Sequence, residues 1–178
     1  CLDEIEWIAS IFEYYSEIGR DQRGRVVAPV TPRSMSMVVK EAYGVVGCIV
    51  PWNYPLLLMA WKAAPALAAG NTVVVKPSEI TPLSIMRWLE VACDHLPKGI
   101  INMVTGFGDT GAFLVEHPDT RVIAFTGSVE TGKKIAAMAA TQLKKTSLEL
   151  GGNDPIIICD DVDVGIAAKG TAWGGLLN

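Results

Sequence analysis

From residue 44 onward, short apolar, β-branched runs alternate with stretches of helical spacing, and this alternation is the strongest constraint on the fold. Strands are expected over residues 45–50, 72–75, 100–104, 122–125, 146–150 and 156–159. Helices are expected over residues 56–69 and 83–95, from a glycine-rich turn at 106 to about 116, and over 129–140 and 164–174. Strand-then-helix order implies a parallel sheet with helices on both faces. The runs are short and apolar, as parallel strands buried on both faces are. The expected class is α/β: an open parallel sheet flanked by helices.

The first forty residues read differently. Ile5, Ile8, Ile11, Phe12 and Tyr15 recur at helical spacing over residues 2–18, and Gly19 ends that helix. Residues 21–24 form a polar turn, followed by two expected strands, 26–30 and 35–41, joined by Thr31-Pro32-Arg33-Ser34. Met35, Met37 and Val39 alternate with Ser34, Ser36 and Lys40, which implies one wet face. A two-stranded ribbon is not stable alone, so it must pair with another segment or another subunit.

Composition removes several classes of function. The 178 residues suffice for one domain with one core, and 50% hydrophobic against 19% charged residues describes a globular chain. A net charge of −4 without a basic cluster argues against nucleic acid as a partner. Cys1, Cys48, Cys93 and Cys159 show no metal-ligand spacing, and with only His95 and His117 beside them a metal site is not expected. The cysteine usage reads as a reduced, intracellular protein. No charged n-region followed by an apolar h-region is visible. Between residues 45 and 70 only Asn53 and Lys62 are strongly polar, a pattern close to that of a membrane span. Pro51, Pro55, Pro65 and Lys62 interrupt it, so it reads as a buried strand followed by a buried helix.

Six stretches can carry chemistry. Asn53, in Val50-Pro51-Trp52-Asn53-Tyr54-Pro55, sits at a strand-to-helix turn, where its amide can either cap the helix or donate to a developing oxyanion. In the helix that follows, Tyr54, Leu57, Leu58 and Trp61 share one face, which is either core or the wall of an apolar substrate tunnel. Lys62, the only charge there, needs a carboxylate or a path to water. Lys76-Pro77-Ser78-Glu79 is either a helix start or a pair that binds ribose hydroxyls. Gly106-Phe107-Gly108-Asp109-Thr110-Gly111 matches G-x-G-x-x-G, with Glu130 19 residues beyond Gly111. It follows the third strand rather than the first, so its glycines can equally serve a tight turn and close helix packing. Phe125-Thr126-Gly127-Ser128 offers backbone access at Gly127, the Ser128 hydroxyl and a helix N-terminus to an anion. Leu148-Glu149-Leu150-Gly151-Gly152 sets a carboxylate in an apolar strand, where burial raises its pKa toward that of a general base. The alternative is a strand-end charge that reaches water or a structural lysine.

Pro51-Trp52-Asn53, Lys76-Pro77-Ser78-Glu79, Phe125-Thr126-Gly127-Ser128 and Leu148-Glu149-Leu150-Gly151-Gly152, in this order, resemble the aldehyde dehydrogenase superfamily over essentially the whole chain. The resemblance implies a Rossmann-like sheet and oxidation of an aldehyde to a carboxylic acid with NAD or NADP, NAD slightly favoured. In such enzymes a cysteine thiolate attacks the aldehyde, forming a thiohemiacetal and then a thioester. It further implies that Asn53 stabilises the oxyanion, that Glu149 activates the hydrolytic water and that Lys62 lies on a proton-exit route. Lys76 and Glu79 fall on the adenosine ribose, Trp52 and Ser128 at the pyrophosphate and Gly127 near the nicotinamide half, with Ser78, Phe125 and Leu150 also cofactor-binding. Gly108 and Gly111 contact the adenosine side, and Tyr54, Leu57, Leu58 and Trp61 face the substrate. Two aromatics there would also hold a cationic aldehyde, as in betaine and amino-aldehyde dehydrogenases.

In the family the nucleophilic cysteine follows the Glu149 motif, a short way beyond a segment like 172–178, and none of the four cysteines here has that context. The expectation is an internal stretch of a larger enzyme, inactive alone: residues 1–24 a helix of the cofactor domain, 25–42 a hairpin of the oligomerisation domain and 43–178 the NAD(P)-binding domain. The full enzyme is expected to be a cytoplasmic homodimer or homotetramer acting on a small aldehyde. A non-catalytic nucleotide-binding or structural module is the alternative. A reductase acting on an acyl phosphate or semialdehyde is a third reading, opposed by the Glu149 motif.

Overall fold

Ile8 is the residue through which helix α1 (Leu2–Ile18) enters the core, with Ile11 and Phe12 half-buried beside it. The computed structural model describes residues 2–21 and 23–176. Cys1, Gln22 in the 21–24 turn, and Leu177 and Asn178 at the end of the 172–178 segment lie outside the described residues. A 3₁₀ turn over Gly19–Asp21 closes α1. Strands β1 (Arg25–Val27) and β2 (Ser36–Val38) pair antiparallel, with Val26 opposite Met37. Both strands are shorter than their sequence pattern, and every residue in them is exposed, so the expected single wet face is not seen. A ribbon with nothing packed on it has no dry side.

The α/β region runs β3 (Val45–Ile49), α2 (Pro55–Ala68), β4 (Thr72–Lys76), α3 (Leu83–Ala92), β5 (Ile101–Met103), α4 (Gly108–Glu116), β6 (Thr120–Gly127), α5 (Val129–Ala140), β7 (Lys145–Leu150) and α6 (Val164–Leu176). The five later strands form one parallel sheet in the order β5-β4-β3-β6-β7. The alternation from residue 44 thus folds as the expected open parallel sheet with helices on both faces. Cys48 on β3 stands opposite Val75 on β4 and Ala124 on β6.

Side chains alternate across a strand, so each strand serves two cores. Val46, Cys48 and Val50 join Val73, Val75 and Ala124 beneath α1, α2 and α3. Ile49, Ile123 and Phe125 pack on the other face against Val115 of α4 and Ile135 and Ala139 of α5. The apolar stretch 45–70 becomes β3 and α2, and among the described residues no helix is long and apolar enough to cross a membrane.

Two expectations fail at the end of the sheet. Residues 156–159 form no strand, and Ile157 is 87% exposed. A β-branched run becomes a strand only where a ladder neighbour satisfies its backbone, and β6 is the only strand paired with β7 among the described residues. For the same reason β7 is not buried: five of its six residues are exposed. Helix α6 likewise buries none of its described residues.

Met59 and Trp61 test this division of α2. Met59 is 0% exposed and Trp61 54%. Met59→Ala should cost about 2–5 kcal/mol of stability in urea unfolding. Trp61→Ala should stay within about 0.5 kcal/mol.

Candidate active site

The chain steps outward from β3 to β4 and β5, then crosses back past β3 to β6 and β7. The winding direction reverses between β3 and β6, and in open α/β sheets the ligand crevice lies there, beyond the carboxyl ends of the strands. The turn bearing Asn53 leaves β3 at this point, and Ser128 follows β6 at the same edge.

The Asn53 turn is shaped from outside itself. Tyr54 is the N-cap residue of α2, with φ 44° and ψ 53°, and its side chain makes no capping bond. A bulky residue in the left-handed region carries strain of about 1–3 kcal/mol. Asn53 lies one position before the cap and is half-buried, so the capping alternative is not the one adopted. The cap comes from α1 instead: the buried Glu4 carboxylate accepts from the Leu57 N–H at 3.4 Å. A carboxylate is favoured at a helix N-terminus by the aligned peptide dipoles. The Thr81 hydroxyl donates to the Trp52 carbonyl at 2.8 Å, and the rings of Trp7 and Tyr54 meet at 5.9 Å.

Helix α2 divides its faces. Leu56, Met59, Ala60 and Ala63, at i, i+3, i+4 and i+7, enter the core. The neighbouring stripe does not: Tyr54 and Leu57 are half-buried, Leu58 is buried and Trp61 is exposed. That leaves part of the stripe free to form a wall. Lys62 is 9% exposed and its ammonium donates to the Thr126 hydroxyl. Among the described residues no carboxylate lies within ion-pair distance of it. Thr126 is in register with Glu149, on the face covered by α2. Lys62, Thr126 and Glu149 therefore form a row beneath α2, on the face onto which the Asn53 turn leads.

Burial lowers the pKa of Lys62, while the charges of Cys48 and Glu149 act to raise it. Burial pushes the Cys48 thiol up to about 12, against the pull of Lys62, so Cys48 is neutral at physiological pH. Glu149 is then the carboxylate that acts on Lys62. Glu149 itself is exposed at the β7 edge, so the expectation of a buried carboxylate in an apolar strand is corrected. An edge strand with one neighbour does not desolvate its polar side chains.

The Lys76 ammonium, buried at the end of β4, lies 3.7 Å from the exposed Glu79 carboxylate, and the half-buried Ser78 hydroxyl accepts from the Ile80 N–H at 3.3 Å. Gly106 has φ 151°, and a Cβ there would meet the Thr110 hydroxyl at 2.0 Å, so the first glycine of the G-x-G-x-x-G run serves the turn. Gly108 opens α4 in an exposed position and Gly111 is buried against Ile49. Phe125 is buried in the core with its ring against Gly127. The Ser128 hydroxyl caps α5, accepting from Thr131 N–H at 3.2 Å and donating to the Thr131 hydroxyl at 2.9 Å. Leu150 leans on Gly132 of α5, which has no Cβ to exclude it. The Lys76 ammonium, the Glu79 carboxylate as acceptor and the α5 N-terminus fit a dinucleotide: a donor and an acceptor for ribose hydroxyls and a helix end for a phosphate.

Sequence reasoning missed Glu4, Thr81 and Thr126. Thr126 was legible in principle, because it shares the strand face of Ala124 under α2. Glu4 and Thr81 act across 53 and 29 residues of chain, and no local pattern marks them.

A model of the aldehyde dehydrogenase family matches residues 1–178. The chain belongs to this family. Aminoaldehyde dehydrogenase 1, peroxisomal, of Malus domestica is 46% identical over 97% of the chain, and betaine aldehyde dehydrogenase of Bacillus subtilis (strain 168) is 45% identical over 92%. Betaine aldehyde dehydrogenase from Staphylococcus aureus in complex with NAD+ superposes with a TM-score of 0.92 at 41% identity over 97% of the chain. An E. coli NADP dependent enzyme superposes with a TM-score of 0.90 at 39% identity over 96% of the chain. The chain spans only about a third of these relatives: 36% and 34% of the two sequences and 35% and 36% of the two structures. In this aldehyde dehydrogenase segment the Asn53 turn leaves β3 and Ser128 follows β6, the two strands that flank the switch point of the sheet.

The buried Lys62 makes stability depend on pH. Its folded pKa lies below the ordinary 10.5, so folding penalises the charged form. That penalty is full below the folded pKa and fades as pH rises through the window up to 10.5. Relative to Lys62→Met, the wild-type chain should therefore gain stability toward pH 10.5, read by paired urea titrations. Thiol labelling followed by mass mapping should modify the exposed Cys93 and Cys159 and spare Cys48 until the protein unfolds.

Proposed function

We propose that this chain is the cofactor-binding part of an NAD(P)-dependent aldehyde dehydrogenase that oxidises an aldehyde to a carboxylic acid. What supports the reading is that the Asn53 turn leaves β3 at the switch-point edge, and that Lys62 of the helix it opens bonds to Thr126, which is in register with Glu149. The dinucleotide supplies the hydride acceptor. The Asn53 amide donates to the oxyanion that develops when the aldehyde carbonyl is attacked. Glu149, an exposed carboxylate on β7, takes a proton from the hydrolytic water. Lys62, eased toward its neutral form by burial, receives and passes on that proton.

Lys76, Ser78 and Glu79 hold the ribose side, and Gly108 and Gly111 bring α4 close to the adenosine. Trp52 and Ser128, with the α5 N-terminus, flank the pyrophosphate; Gly127 over the Phe125 ring, and Leu150, adjoin the nicotinamide half. NAD is favoured, because the Glu79 carboxylate repels a 2′-phosphate. Tyr54, Leu57, Leu58 and Trp61 form the substrate wall. Its two aromatics suit a cationic aldehyde, which accords with relatives named as betaine and aminoaldehyde dehydrogenases. The exposed β1–β2 hairpin, part of residues 25–42, joins subunits of a homodimer or homotetramer, and residues 1–24 and 43–178 belong to the cofactor domain. The enzyme is assigned to the cytoplasm, although some relatives are named as peroxisomal or chloroplastic.

The attacking cysteine comes from outside the described residues. Cys48 is buried and neutral, Cys93 closes α3 at the edge opposite the crevice, and Cys159 sits in the exposed segment after β7. The described residues alone should therefore bind the dinucleotide without turning over.

The test is NADH production by the full-length enzyme. Asn53→Ala should lower kcat by about 10²–10³. Glu149→Gln should release one burst of NADH per site and then stall. Wild-type rates from both variants would sink the reading. Nucleotide binding with no aldehyde oxidation by the full-length protein would favour the binding-module alternative.

A further inference from the structure

We propose that Thr81 and Glu4 are positioning residues that aim the Asn53 amide by pinning the turn that carries it. The inference rests on the oxyanion role of Asn53 proposed above. Among the described residues, no side-chain hydrogen bond is made within residues 50–54. Pro51 has no N–H to give, and Tyr54 is held in a backbone conformation that a bulky side chain avoids. Such a turn relaxes unless its surroundings over-determine it.

Two bonds bracket Asn53. On one side the Thr81 hydroxyl, at the entry to α3, donates to the Trp52 carbonyl at 2.8 Å. On the other the buried Glu4 carboxylate, from α1, accepts from Leu57 N–H at 3.4 Å and fixes the first turn of α2. Trp7, one turn after Glu4, places its ring 5.9 Å from that of Tyr54 and limits rotation of the strained residue. The orientation of Asn53 is thus set by α1 and α3, neither of which belongs to the crevice. A reacting group displaced by about 1 Å loses up to about a hundredfold in rate, so loss of either bond should be visible in kcat.

The experiment is a double-mutant cycle in the full-length enzyme, followed by NADH production with betaine aldehyde. Thr81→Val keeps the side-chain shape and removes the donor; it should lower kcat about tenfold or more. Thr81→Ser, which restores the hydroxyl, should recover most of the rate. In an Asn53→Ala background, Thr81→Val should change kcat no further, because no amide remains to be aimed. If Thr81→Val lowers kcat by the same factor in both backgrounds, its role is structural and the positioning inference is overturned. If Asn53→Ala alone leaves kcat unchanged, the oxyanion reading falls and takes this inference with it. Should Thr81→Val fail to fold, the same cycle is run with Glu4→Met, with Glu4→Gln as the acceptor-preserving rescue, and the same outcomes decide.

Discussion

A strand bonded on both sides and covered on both faces has no freedom to shift, and β3 is such a strand. Val45–Ile49 pairs with β4 and with β6, presents Val46 and Cys48 to the helices of one face, and presents Ile49 to those of the other. A slip of one residue would turn each of these side chains to the wrong face. The register of β3 therefore fixes where its carboxyl end lies, and that end is where the Asn53 turn begins. Val50 extends the constraint: its N–H bonds to the Lys76 carbonyl, tying the start of the turn to the end of β4. The proposed oxyanion donor and the proposed ribose-binding lysine thus depend on the same ladder.

Lys62 is the costly element in this arrangement. A buried ammonium carries a desolvation penalty of several kcal/mol, and one hydroxyl partner offsets only part of it. An apolar residue of similar length would pack there at lower cost, so stability alone does not account for the lysine. Its neighbours give it a different value. The amine bonds to Thr126, whose register partner Glu149 is a carboxylate that it feels but does not contact within ion-pair distance, and it also acts on a neutral thiol, Cys48. That is a setting in which a proton moves without either partner being locked in a salt bridge.

The sequence disclosed what depends on short-range pattern. Helices α1 and α5 span the expected residues, β3 to β7 follow the apolar runs, and the segments bearing Asn53, Ser78 and Ser128 each follow the carboxyl end of a strand in one parallel sheet. What escaped depends on neighbours distant in the chain. Residues 156–159 look like a strand by composition, but nothing pairs with them. Glu149 looks buried by its flanking leucines, but Leu148 and Leu150 point to the α5 face while Glu149 points to the α2 face of an edge strand. Asn53 looks like an N-cap, yet α2 begins two residues later because Pro55 occupies its first position and Glu4 supplies the missing acceptor.

The exposure of Glu149 changes the chemistry its role requires. A buried carboxylate gains basicity from desolvation but loses access to water; an edge carboxylate keeps the water and must gain its advantage from position. Beneath α2 the ordering runs from wet to dry: Glu149 at the edge, Thr126 on the next strand, Lys62 buried under the helix. The proposed proton acceptor is thus the exposed group, and the group whose charge is least favoured lies deepest. In the proposed relay a proton taken up by Glu149 would pass inward only when Lys62 has shed its own, and burial lowers the cost of shedding it. In the proposed mechanism the lowered pKa of Lys62 complements the carboxylate of Glu149: relieving the burial would stop the proton at the carboxylate.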